Sequence, residues 1–273
     1  MKTCTIITTH PPKFHFGLSL LKSFINYVKQ PHELYFVFTN ENEMIMFDEL
    51  CSEYIGLYKS IVLPHELRDK LSIVNVKKFH ALDTLINEYD YVGVYDCESL
   101  FVNPCDLNFI YEDIGKQNFI KANTSSVGKN VLIKASEILG LNNNEILLNE
   151  TENLTLYWWF NEIPVYEKNN FIEFFSWLKN LENYSEVQRE YYCFDYILYG
   201  MWLIVFKGIK LKKIETTMIS QIGAVEDFRL PMHVRNEVST KFDSYWSTNI
   251  KNFKNFEKIK ILFHIDSIEK IKL

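Results

Sequence analysis

The sequence predicts an α/β fold, with one mostly parallel, doubly wound sheet flanked by helices on both faces. Three observations predict it. Short β-branched or aromatic runs alternate with segments of helical period through about the first hundred residues. Each run stops at a polar or turn residue, as a buried strand feeding a loop should. The chain has 273 residues, 47% of them hydrophobic, enough for one large core but not for two ordinary α/β domains and a linker.

The elements follow in order. Residues 5–9 are a β-branched run closed by Pro11 and Pro12, hence a strand ending in a turn. Residues 16–28 have helical period, with Leu18, Leu21, Phe24, Ile25 and Val28 on one face. A second strand over 34–38 ends at Thr39 and Asn40, a helix covers 44–54, and a third strand over 59–63 is closed by Pro64. The helix over 76–88 carries Phe79, Leu82, Leu85 and Ile86 inward, and a fourth strand over 91–95 stops at Asp96. Beyond residue 117 the pattern loosens. It gives strands over 119–122, 154–160 and 163–166, and helices over 131–139 (ending at Gly140), 171–181 and 186–202, with an Asn-rich polar loop at 142–153. No internal repeat and no Pro-, Gly- or Ser-rich linker interrupts the chain, so a single domain is expected.

Composition removes several function classes. The formal net charge is −6, from 29 basic and 35 acidic residues, and no basic stripe offers the footprint that nucleic-acid binding needs. Neither G-x-x-x-x-G-K-[ST] nor G-x-G-x-x-G occurs, which excludes the usual kinases and dehydrogenases, and there is no G-x-S-x-G elbow. The five cysteines form no C-x-x-C pair, and the opening residues lack an apolar signal-peptide core; both point to a reducing, cytoplasmic setting. The longest apolar stretch, 197–206, is too short to span a bilayer. The 15% aromatic share suits a deep core, and also a cleft in which sugars stack on rings.

In parallel sheets ligands bind beyond the carboxyl ends of the strands, which singles out Thr8, Thr9 and His10, then Thr39 and Asn40, then Asp96, Cys97 and Glu98. Asp96 and Glu98 stand at i and i+2 directly after a buried strand. Two carboxylates there can hold a hard divalent cation, which would bridge a diphosphate and stabilise its developing charge. The same triplet would also serve as a solvated turn.

The passage from Val76-Lys77-Lys78-Phe79-His80-Ala81-Leu82 through Tyr89-Asp90-Tyr91 to Asp96-Cys97-Glu98 resembles glycosyltransferases of the GT-A fold. Their Asp-x-Asp-type motif closes a strand in this way, and Ile6-Ile7-Thr8-Thr9-His10 looks like their opening nucleotide-binding strand. The resemblance covers about the first 115 residues. It implies a GT-A-like single domain that transfers a sugar from a nucleotide sugar, a UDP-sugar, to a glycan acceptor. Residues 1–115 would bind the donor, 116–240 the acceptor, and 241–273 would close the domain. Thr8, Thr9, His10 and Asn40 would lie near base and ribose, and Lys78, rather than Lys77, would contact ribose or phosphate. For either lysine taken singly, a solvated helix face is the alternative.

The resemblance further implies Mn²⁺ or Mg²⁺ held by Asp96, Glu98 and His264. The acidic motif ends in Glu98 rather than Asp, one methylene longer, which makes a water-bridged contact as good as a direct one. Ile265-Asp266-Ser267 follows His264 where relatives carry a Gly and a Lys-Pro-Trp. A simple strand-end histidine is the alternative there, and His233 near Arg235 is the second candidate ligand. A Gly-rich opening loop is absent, which argues against nucleotidyl transfer.

On the acceptor side, Glu190 and Asp195 lie five residues apart and do not share a helix face. Asp195, between Phe194 and Tyr196, is the more shielded, and such a carboxylate can act as general base on an acceptor hydroxyl. A capping or ion-pairing role toward Arg189 is its alternative. The run Tyr157-Trp158-Trp159-Phe160, with Glu162, offers an acceptor platform, and the 142–153 loop a lid that excludes water. Residues 241–273 hold seven Lys against four acids and suit peripheral contact with an anionic membrane that presents a lipid-linked acceptor. Asn-, Lys- and Ile-rich composition and the family together suggest bacterial capsule or lipooligosaccharide synthesis. A catalytically silent nucleotide- or glycan-binding member of the fold and a metal-dependent hydrolase are the rivals.

Overall fold

The computed structural model describes residues 1–123, 129–141, 155–156, 163–190, 195–213, 219–223 and 261–266. The expected 142–153 loop, the aromatic run 157–160 with Glu162, and His233 lie outside them, as do residues 241–260 and 267–273.

Strand β1 (Thr3–Thr8) is buried along its length, as its run of β-branched and small residues allows. A 3₁₀ turn over Pro11–Lys13 leads into α1 (Phe14–Tyr27). Then come β2 (Glu33–Phe38), α2 (Glu41–Leu50), β3 (Lys59–Val62), α3 (Ile73–Leu85) and β4 (Tyr91–Asp96). All four strands run parallel, paired β1 to β2, β2 to β3 and β1 to β4. After β5 (Ser99–Phe101), α4 (Leu107–Gly115), β6 (Phe119–Asn123), α5 (Lys129–Ile138) and β7 (Thr155–Leu156), strand β8 (Val165–Glu167) joins the sheet antiparallel to β4. The main sheet therefore has the order β3-β2-β1-β4-β8. This is the mostly parallel α/β arrangement that the alternating pattern predicts.

Helices α6 (Lys168–Lys179), α7 (Tyr184–Glu190) and α8 (Asp195–Lys207) follow, then β9 (Lys210–Lys213), β10 (Ile219–Gly223) and β11 (Leu262–Asp266). Two three-stranded sheets complete the described part, β10-β11-β5 and β7-β6-β9. Among the described residues no helix is long and apolar enough to cross a membrane.

Where expectation and structure differ, end chemistry decides. Helix α2 starts at Glu41, three residues before the expected 44, because the Asn40 side chain accepts the Glu43 N–H at 2.9 Å and the Glu43 carboxylate accepts the Thr39 N–H at 2.7 Å. The single helix expected over 186–202 is described as α7 and α8, with residues 191–194 outside the description.

Alternation along each strand sends side chains to two cores, one on each face. Ile7, Phe36, Phe38 and Tyr95 face Phe14, Phe24, Phe47 and Tyr111. Ile6, Tyr35, Val37, Val92 and Val94 face Phe79, Leu82, Phe174 and Trp202. The aromatic excess is therefore largely core. Phe14 and Phe47 meet edge to face at 5.3 Å, and Phe79 stacks on Phe175 at 5.9 Å; burying one such ring contributes about 2–3 kcal/mol. With helices packed over both faces, the carboxyl ends of the parallel strands are where a ligand can approach.

Candidate active site

Thr8 and Asp96 are the last residues of β1 and β4 and stand opposite each other in the parallel register. The Thr8 hydroxyl lies 3.5 Å from Asp96 Oδ1. Next in the chain, Cys97 and Glu98 form the turn into β5, so the acid pair closes β4 as the spacing predicts.

Helix α3 packs across β1 and β4 and delivers two adjacent lysines, each only 2% exposed. Neither is a solvated face. Adjacent helical residues point about 100° apart, and the two ammoniums accordingly diverge. Lys78 Nζ sits 3.1 Å from Asp96 Oδ1 and 3.3 Å from Asp195 Oδ1. Lys77 Nζ donates to the Thr9 carbonyl at 2.7 Å and pairs with Glu43 at 3.3 Å.

Asp195 opens α8 and is fully buried. Its Oδ1 faces Lys78, and its Oδ2 accepts the Tyr166 hydroxyl from β8. A lysine remote in sequence and a tyrosine hold it; the Arg189 side chain lies outside the described residues. Lys13, from the turn after β1, pairs with Glu98 Oε1. His264, on β11, lies opposite Ser99 in the antiparallel register, and Ser99 Oγ is 3.0 Å from its Nδ1.

The electrostatics follow from this crowding. Burial alone would raise the Asp96 carboxyl, yet Lys78, His264 and Lys13 bring it below its ordinary value. Burial would lower the Lys78 ammonium, but Asp195 and Asp96 hold it above its usual range, so it stays charged. Lys77 moves the other way, lowered by burial against the pull of Glu43. Burial also lowers His264, against the carboxylates of Asp96 and Glu98.

The remaining expected donor residues lie just past the ends of β1 and β2. Thr9 is buried, its carbonyl taken by Lys77. His10 is half-buried, and its carbonyl accepts the Lys13 N–H at 2.8 Å. Asn40 caps α2 with its carboxamide oxygen. The sequence reading passed over Lys13, Glu43, Ser99 and Tyr166. Lys13 had a usable signal, since it follows the first strand's carboxyl end; Tyr166 had none, because its role depends on where Asp195 lands.

The donor set of two carboxylates and an imidazole suits Mn²⁺ or Mg²⁺. Ser99 engages Nδ1, so ligation from this ring would come from Nε2. As placed, no three His, Cys, Asp or Glu side chains among the described residues are close enough to hold an ion, and lysines occupy both carboxylates. The residue types therefore suit a divalent cation, but as placed the carboxylates are paired with the chain's own ammoniums. A cavity of about 150 Å³ lies apart, between Tyr166, Tyr196, Tyr199, Leu203, Phe119 and Ile163; its mostly apolar walls do not suit a diphosphate.

No family model and no curated protein matches the chain. Solved structures do. The bifunctional glycosyltransferase WbbM, in its apo form, is similar over 96% of this chain at 15% identity and a TM-score of 0.51. The chain spans 45% of WbbM's length. Mouse xyloside xylosyltransferase 1, also apo, is similar over 97% of both chains at 10% identity and a TM-score of 0.49. The chain thus has a GT-A-like fold, with Asp96, Lys78 and Asp195 meeting at one end of its main sheet.

Proposed function

We propose that this chain is a metal-dependent glycosyltransferase, moving a sugar from a nucleotide diphosphate sugar, a UDP-sugar, to a glycan acceptor in bacterial capsule or lipooligosaccharide synthesis. The observation that carries the reading is Lys78, buried between Asp96 and Asp195 at the carboxyl end of the parallel sheet. A charged lysine held by two acids from different parts of the chain is costly to bury without a use for it.

In this reading Thr8, Thr9, His10 and Asn40 border the nucleoside, and Lys78 orients the donor's ribose or phosphate. Asp96, Glu98 and His264 would hold Mn²⁺ or Mg²⁺, which when bound supplies charge to the leaving diphosphate. Asp195 acts as base on the acceptor if the anomeric centre inverts, and as a positioning group for Lys78 if configuration is retained. Its full burial beneath Lys78 and Tyr166 favours the second role. Residues 1–115 serve the donor, 116–240 the acceptor, and 241–273 close the domain and touch an anionic membrane surface.

A panel of nucleotide sugars screened for thermal stabilisation, with and without Mn²⁺, tests the assignment. One donor should stabilise the protein only with metal, and transfer from it should vanish in Asp96→Ala. Stabilisation indifferent to chelation would sink the metal reading, and release of sugar without any acceptor requirement would favour the hydrolase.

A further inference from the structure

The cavity of about 150 Å³ shares one side chain with the acid–lysine cluster. Tyr166 is among its wall residues, while its hydroxyl donates to Asp195. The Tyr166 ring lies 4.9 Å from that of Tyr199, a second wall residue, and meets Phe171 edge-on at 5.6 Å. This part of the wall is fixed before a ligand arrives, which lowers the cost of binding one. Gly200, inside α8, is a third wall residue. Glycine is, after proline, the least favourable residue inside a helix, so α8 gives up stability at a position where a side chain would take room from the cavity. A close-packed interior does not keep such a void without cost.

We propose that this cavity binds an uncharged aromatic ring of about benzene's size, bearing at most one small polar group. The volume matches, because an apolar cavity of about 150 Å³ stays dry and takes one such ring. The walls match as well: Phe119, Ile163, Leu203 and the two tyrosines offer aromatic and aliphatic contacts. Lys121 and Glu167 bring one charge of each sign, so an ion of either sign would give up its water for little net return. Gln117 and Asn170 supply carboxamides that can bond one hydroxyl or amide. A ring seated here would share Tyr166 with Asp195, the partner of Lys78. The site stands whether or not the end of the main sheet binds a nucleotide.

The test titrates p-cresol into the full chain, followed by isothermal calorimetry and saturation-transfer NMR. The wild type should bind it with a Kd of about 1 mM or tighter. Gly200→Leu, which fills the space, should weaken binding by about tenfold or more. Gly200→Ala repeats the measurement, with a smaller loss, should the leucine variant fail to fold, and circular dichroism verifies each form. Undiminished binding in folded Gly200→Leu, or in Gly200→Ala where the leucine variant does not fold, puts the ring elsewhere and overturns the proposal. No binding of p-cresol by the folded wild type overturns it too. Tetramethylammonium bound in preference to p-cresol overturns the class of ligand.

Discussion

Lys78 and Asp195 meet at 3.3 Å, each at most 2% exposed, although they come from different halves of the chain. Their pairing ties α3 to the start of α8 and sets Asp195 beside Asp96 through one shared ammonium. Removing that ammonium strands two carboxylates in a poorly hydrated place. Lys78→Met should therefore destabilise the protein by about 3–5 kcal/mol. Asp195→Asn should recover part of the loss, with a coupling of about 1 kcal/mol or more in a double-mutant cycle read by urea denaturation. Additive effects would mean that the two side chains do not share a charge.

Lys77 governs the rim rather than the centre. It holds the Thr9 carbonyl and, through Glu43, the Thr39 N–H, so the loops after β1 and β2 are tied to one buried cation. Lys77→Met should weaken UDP binding by about tenfold, measured calorimetrically, because an unfixed rim must be ordered on binding. Glu43→Gln should act in the same direction, and the two losses should not add. A fall in melting temperature with unchanged UDP affinity would refute the rim role.

Gly93 lies under Tyr111, and a Cβ there would stand 2.3 Å from the Tyr111 ring and hydroxyl. That hydroxyl is fixed by Thr5 at 2.6 Å and by Tyr95, so the ring cannot swing away cheaply. Gly93→Ala should cost about 2–3 kcal/mol, and scanning calorimetry should register a melting temperature lower by several degrees. A melting temperature within error of the wild type would show that Tyr111 relocates freely.

His32 gives a pH dependence of stability. It is buried between Thr3, Thr5 and Asn108, and burial, only partly offset by Asn108, lowers its imidazole from an ordinary 6.5 to about 4. The unfolded chain takes up the proton first. Stability from this group is thus complete above pH 6.5 and is lost as pH falls through about 4, about 3 kcal/mol in all. Chemical denaturation from pH 7 to pH 4 should show a steeper loss in the wild type than in His32→Gln. Parallel curves would remove His32 as the cause.

The main sheet was legible because β1, β2 and β4 are largely buried on both faces and end abruptly. Residues 91–95 and Asp96 need no tertiary information to be read as a strand and its exit. Asp96, Glu98 and the lysines of α3 were legible for the same reason, being local to those ends. The partners were not. Which lysine reaches Asp96 depends on the rotation of α3 against β4, and the Asp195–Tyr166 contact depends on β8 joining antiparallel, a direction that residues 163–166 do not encode. Strand β5, three residues long, becomes a strand only because β11 pairs with it, so nothing within Ser99–Phe101 could announce it.

That pairing also orders events in time. A ribosome completes residues 96–101 long before it makes the strand that sets His264 beside Ser99. The strands of the main sheet all precede β11 in the chain, so that sheet can form while β5 still lacks its partner. A nascent or clipped polypeptide lacking that strand would leave Ser99–Phe101 without the antiparallel partner described for it.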